Sequence, residues 1–164
     1  MQLGRGRRLA AGVVFLMPIA LAAQPPAPVP PEVLSACSIA HGVGSKTPGT
    51  KLQGNNGAFR DELIPAPVAG CRVVIDGSFK KLGKGRLPSE RLSDLFEAQG
   101  WAQLPEFSSD GHDGTSFAYQ RGNVACVTRG EWNGGSDDDP AAPAVDRYRI
   151  TVMCGAAAAF ARPR

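Results

Sequence analysis

Asp110, His112 and Asp113 fall within the stretch Ser-Asp-Gly-His-Asp-Gly at 109–114, and a second acidic run, Asp137-Asp138-Asp139, follows further along. Carboxylates beside an imidazole are the material of acid–base hydrolysis, and clustered carboxylates are the material of a hard-cation site. Calcium takes about six to eight oxygens, delivered at regular spacing and closed by a glutamate. Asp110 and Asp113 have no third carboxylate in register and no closing Glu. The repeated Asp-Gly equally spells a turn, since glycine takes the positive φ that other residues resist. Three readings therefore meet here. One is a small secreted hydrolase using Asp110, His112 and Asp113. Another is a weak calcium or interaction surface, for adhesion or carbohydrate binding, made by Asp110, Asp113, Asp137, Asp138, Asp139 and the neighbouring Trp132. The third is a pair of turns.

No G-x-S-x-G elbow is present. His41 is the only imidazole available to join His112, a thin basis for a transition-metal site. In Gly44-Ser45-Lys46-Thr47, Ser45 separates the glycine from the lysine and no strand precedes, so the phosphate-loop pattern fails. No cofactor or metal is expected.

Cys37, Cys71, Cys126 and Cys154 make an even set with no C-x-x-C. In an exported chain that is a disulfide framework with three open pairings. If the last two strands form a hairpin, Cys126 and Cys154 lie on neighbours, and Cys37–Cys71 then ties the N-terminal region to the sheet. Each bridge would contribute roughly 3–4 kcal/mol by the chain-entropy model.

Export is read from the N-terminus. Arg5, Arg7 and Arg8 precede an apolar run that ends in small residues by Ala23, the pattern of a secretory signal over 1–23. The run is too short for a membrane span, so no transmembrane segment is expected after cleavage. Losing those three arginines brings 18 basic and 15 acidic residues to a formal balance of zero. That argues against a nucleic-acid partner, which calls for a basic stripe. Lys80, Lys81, Lys84, Arg86 and Arg91 bunch together and read as a solvated face. Residues 24–32 form a proline-rich linker. Leu34-Ser35-Ala36-Cys37 also spells a lipobox, giving a lipoprotein acylated at Cys37 as an alternative.

These residues need a scaffold. Residues 33–59, glycine-rich and weakly periodic, read as a surface loop pinned at Cys37. A strand is expected at 71–75, a turn at Asp76-Gly77 and a short returning strand at 78–82. Residues 87–101 are predicted as an amphipathic helix. Ser89 is its cap, Leu92, Leu95 and Phe96 its buried stripe, Gly100 its exit, and Trp101 folds back on the stripe. Strands at 115–120, 124–132 and 147–154 form a meander, with Phe117 and Tyr119 turned to the core. In the last strand Tyr148, Ile150, Val152 and Cys154 alternate with Arg147, Arg149, Thr151 and Met153, the period of a half-buried strand.

The expected architecture is α+β: one helix on a small antiparallel sheet, ordered strand, helix, three-strand meander, and braced by disulfides. The domain occupies 33–155, and 156–164 is a loose tail. The function expected is that of a periplasmic or secreted, non-enzymatic binding protein, its partner an unidentified protein or envelope component.

Overall fold

The computed structural model describes residues 28–62, 64–132 and 146–161. The expected secretory leader, residues 24–27 of the expected linker, and Asp137, Asp138 and Asp139 lie outside these. The first element is helix α1 (Pro31–Ser45), where a surface loop was expected. Pro31 opens it, its fixed φ suiting the first helical position. The expected linker thus gives up its last two residues to the helix. Val33, Ala36, Cys37, Ala40, Val43 and Gly44 are buried. The glycine that reads as loop is a packing residue. A methyl group on Gly44 would stand 2.6 Å from Leu52 Cδ1 and 3.1 Å from Ile75 Cγ1.

Strands β1 (Lys51–Asp61) and β2 (Ile64–Gly77) form a long hairpin. Where a return strand was expected, the chain makes the short helix α2 (Phe79–Leu82), followed by α3 (Pro88–Ala98). After α3 come β3 (Ala102–Gln103), a 3-10 turn, β4 (Ser109–Gly111), β5 (Gly114–Arg121), β6 (Val124–Trp132) and β7 (Tyr148–Ala156). The sheet runs β1-β2-β7-β6-β5-β3, with β4 also on β5. The α+β class and the antiparallel meander β5–β6–β7 stand as expected. The small sheet does not: the described residues form a sheet of seven strands, and β7 joins the meander to the β1–β2 hairpin.

α1 and α3 cover one face of this sheet. Leu92 and Phe96 are fully buried there, but Leu95 is 39% exposed, so the stripe is the i, i+4 pair alone. Ser89 is buried and makes no cap; Leu87 is the N-cap and Pro88 starts the helix. Gly100 takes φ +75° at the exit, the Trp101 N–H donates to the Phe96 carbonyl at 3.0 Å, and the two rings meet edge-on at 4.9 Å. The same core holds Val73, Ile75, Tyr119, Ile150 and Val152.

A second core fills part of the opposite face. Phe59, Val68, Phe107, Val127, Met153 and Phe160 cluster there. Its floor is bare backbone, since Gly57, Gly70 and Gly155 lie in one cross-strand row. A side chain at Gly70 would strike the Cys154 carbonyl and the Phe59 ring, and one at Gly155 would strike Val68. The aromatic rings therefore lie close on the strands. This second core explains two departures from expectation. Thr151 and Met153 are buried, so β7 is covered on both faces along most of its length. Phe160 is 2% exposed, so the chain as far as Phe160 is docked where a loose tail was expected.

Candidate binding face

The four cysteines form two disulfides, Cys37–Cys71 and Cys126–Cys154. The first staples α1 to β2; the second joins directly opposed residues of β6 and β7.

The part of the second face that the aromatic cluster leaves open is polar. Register fixes its pattern: Lys51, Asp76, Arg149 and Glu131 form one row across β1, β2, β7 and β6. Alternating signs in that row are mutually favourable cross-strand neighbours. Arg149 Nε donates to Asp76 Oδ1 at 2.7 Å, and this carboxylate holds the guanidinium still more firmly protonated. The next row carries Gln53, Val74, Thr151 and Arg129; a third carries Asn55 and Arg72. Arg129 is tied down by Asp61 at 3.2 Å, which clamps the curled end of the β1–β2 hairpin to the sheet.

Two concavities run along this face. One, of about 670 Å³, lies where the strands end and is lined by Lys51, Gln53, Asp76, Lys81, Glu131, Trp132, Arg147, Tyr148 and Arg149 among others. The second, of about 380 Å³, continues from Gln53 and Arg149 to Asn55 and Arg72. Together they present five cationic side chains (Lys51, Arg72, Lys81, Arg147 and Arg149) against the carboxylates of Asp76 and Glu131. Arg72 and Arg147 have no hydrogen-bond or ion-pair partner among the described residues, and both are exposed.

The rim is held by local capping. The Asp146 carboxylate accepts from the Ser78 hydroxyl at 2.6 Å and the Lys80 N–H at 2.7 Å. Those two bonds, the hydroxyl's first, hold its carboxyl below the usual range. Ser78 in turn accepts from the Lys81 N–H at 3.3 Å, as an N-cap does, which fixes α2 and with it Lys81. Tyr148 forms one wall. Its ring lies where a side chain at Gly77 would be and meets Phe79 edge-on at 5.3 Å. Its hydroxyl is buried with no partner among the described residues, and burial pushes its pKa up.

Of the described residues singled out by chemical type, Trp132 lines the groove, and Asp110, His112 and Asp113 lie outside its lining. His112 and Asp113 are the two-residue tip between β4 and β5, Gly111 pairing with Gly114, and Asp110, His112 and Asp113 are all exposed. The backbone of this tip serves Trp132: the His112 carbonyl accepts from Nε1 at 2.8 Å and the Asp113 carbonyl from the Trp132 N–H at 2.9 Å. Trp132 itself is half-buried at the edge of the first core. His41 is exposed on α1 and belongs to no potential metal-ligand set among the described residues. The basic bunch disperses: Arg86 pairs with Glu90 and Asp94, Arg91 donates to Thr47 Oγ1 at 3.1 Å, and Lys81 joins the groove. Among the described residues, the only His, Cys, Asp or Glu set with ligand atoms close enough for one metal ion is Cys37, Cys71 and Cys154.

The cationic groove is assembled from β1, β2, α2 and the start of β7; strand register brings Lys51, Arg72 and Arg149 together, and the capped α2 adds Lys81. No protein-family model, no curated protein and no solved structure matches the chain.

Proposed function

We propose that the protein is a small exported binding module, braced by disulfides, that holds an anionic partner along the open face of its sheet. The observation that carries this is the groove of five cations, two of them, Arg72 and Arg147, without hydrogen-bond or ion-pair partners among the described residues. Guanidinium groups bind carboxylate, sulfate and phosphate in bidentate fashion, and a partner with such groups at close spacing would satisfy them. The partner is then an acidic protein surface or an anionic component of the envelope; both present the same chemistry. Export is supported by the leader and by the cysteines being disulfide-bonded, a state that oxidising compartments maintain. Cys37 has its sulfur in the bond to Cys71, which favours export without acylation. Among the described residues, no helix is long and apolar enough to cross a membrane.

The test is retention of the full mature chain on a carboxylated polysaccharide matrix against its neutral counterpart, as a function of salt. Binding should be confined to the charged matrix and weaken as salt rises. Reversing Arg72 and Arg147 to Glu should lower the affinity at least tenfold, while His112→Ala should leave it unchanged. Equal retention on the neutral matrix, or indifference to the double reversal, would remove the proposal. Hydrolysis abolished by His112→Ala would replace it with the hydrolase reading.

A further inference from the structure

The two disulfides are not separate staples. Cys71, Cys154 and Cys126 occupy one cross-strand row, Cys71 opposite Cys154 on β2 and β7, and Cys154 opposite Cys126 on β7 and β6. All three belong to the core beneath α1, and Cys37 comes down on the row from that helix. The sulfurs of Cys37, Cys71 and Cys154 lie within 4.8 Å of one another. Cys154 is therefore the middle sulfur of three, bonded to the one on β6 and adjacent to the one on β2.

Thiol–disulfide exchange proceeds by attack of a thiolate on one sulfur of a bridge while the other sulfur leaves. The attacking, central and leaving sulfurs are then required on one line. A row across three neighbouring antiparallel strands supplies that order. Directly opposed residues are also within the Cα separation a disulfide spans, so Cys71–Cys154 is a bridge the backbone already accommodates.

The geometry points to a thiol–disulfide exchange site in which Cys154 passes from Cys126 to Cys71 once the outer bridge is opened by an external dithiol. Cys37 is the point of attack, being 6% exposed against 1% for Cys71 and 0% for Cys126 and Cys154. The dithiol's first sulfur bonds Cys37 Sγ, and Cys71 leaves as a thiolate. Its second sulfur closes the reagent's own disulfide and releases Cys37, which takes a proton. Two electrons have then entered the protein and the reagent is oxidised. Cys71 next attacks Cys154, the Cys71–Cys154 bond forms, and the Cys154–Cys126 bond breaks with its electron pair on Cys126, which is protonated. The product keeps one bridge, linking β2 to β7, with free thiols at Cys37 and Cys126. α1 loses its covalent tie to the sheet. The competing fate of the Cys71 thiolate is protonation, and the Val33 carbonyl, 3.2 Å from its sulfur, is placed to accept from the resulting thiol. Exchange should therefore accelerate with pH, about tenfold per unit below the pKa of the thiol.

Trypsin can separate all four cysteines, because Arg60, Arg72, Arg121, Arg129 and Arg149 intervene or flank them. The full oxidised chain is treated with less than one equivalent of dithiothreitol at pH 8, quenched in acid, alkylated and mapped without reduction. The expected result is a Cys71–Cys154 cross-linked peptide in the singly reduced species, with alkyl groups on Cys37 and Cys126. One-bridge species containing only Cys37–Cys71 or Cys126–Cys154 would overturn the proposal. Cys37→Ser gives a second route that needs no reductant: at pH 8 its free thiol should move from Cys71 to Cys126 in a measurable fraction of molecules. A free thiol that stays on Cys71 alone would refute the exchange.

Discussion

Tyr119 and Tyr148 are the two tyrosines of the chain, and both are buried. Burial raises the pKa of each, and at Tyr119 the hydrogen bond to Glu97, at 2.5 Å, adds to it. A raised phenol binds its proton more tightly in the folded than in the unfolded chain. Its stabilising contribution is therefore complete below the unfolded value, about 10, and is lost as pH rises through the folded value. Absorbance at 295 nm should show neither tyrosine ionising near pH 10 in the native protein. In urea both should ionise there, and stability against urea should fall as pH is raised above about 10. A native titration matching that in urea would mean that these side chains are not buried.

At the scale of elements, the instructive case is the segment after β7. Its sequence, Ala157-Ala158-Ala159-Phe160, has neither pattern nor turn signal, yet Phe160 enters the second core. Phe160→Ala should cost about 3–5 kcal/mol in urea unfolding, the usual loss for a buried phenylalanine; a change under about 0.5 kcal/mol would return the segment to solvent. Such placement cannot be read locally, because it depends on Gly155 leaving the strand backbone open to the Val68 and Phe160 side chains, as Gly70 leaves it open to Phe59. α1 and β1 were obscured for a related reason. Gly42 and Gly44 lower helix propensity, and Gly54, Asn55, Asn56 and Gly57 lower strand propensity, so packing on the sheet and pairing with β2 override the local preference. By contrast α3, β5, β6 and β7 were legible, since Leu92 and Phe96 or Tyr148, Ile150 and Val152 repeat at the period of their elements. The cationic groove was not legible. Lys51, Arg72 and Arg149 are far apart in sequence and meet only through register.

At the scale of the whole molecule, the two bridges close loops of similar length, with separations of 34 and 28 residues. The chain-entropy model therefore assigns each about 3–4 kcal/mol, a large part of the roughly 5–15 kcal/mol by which a domain is stable. Their effects on the native state should nevertheless differ. Cys126–Cys154 joins strands that already share a hydrogen-bonded ladder, whereas Cys37–Cys71 joins a helix to a sheet that it otherwise meets through side chains. Removing the first pair leaves the ladder in place; removing the second leaves α1 held by packing, that of Val33, Ala36, Ala40, Val43 and Gly44 among it. Replacing either pair by alanine should lower global stability by a similar amount, about 3–4 kcal/mol. Hydrogen exchange should separate the two, because amides open locally in units weaker than the whole fold. α1 should lose protection far more in the Cys37/Cys71 variant than in the Cys126/Cys154 variant, with β6 and β7 nearly unchanged in the former. Equal loss along α1 in both variants would mean that the helix opens only when the sheet does, and that its staple acts on the unfolded chain alone.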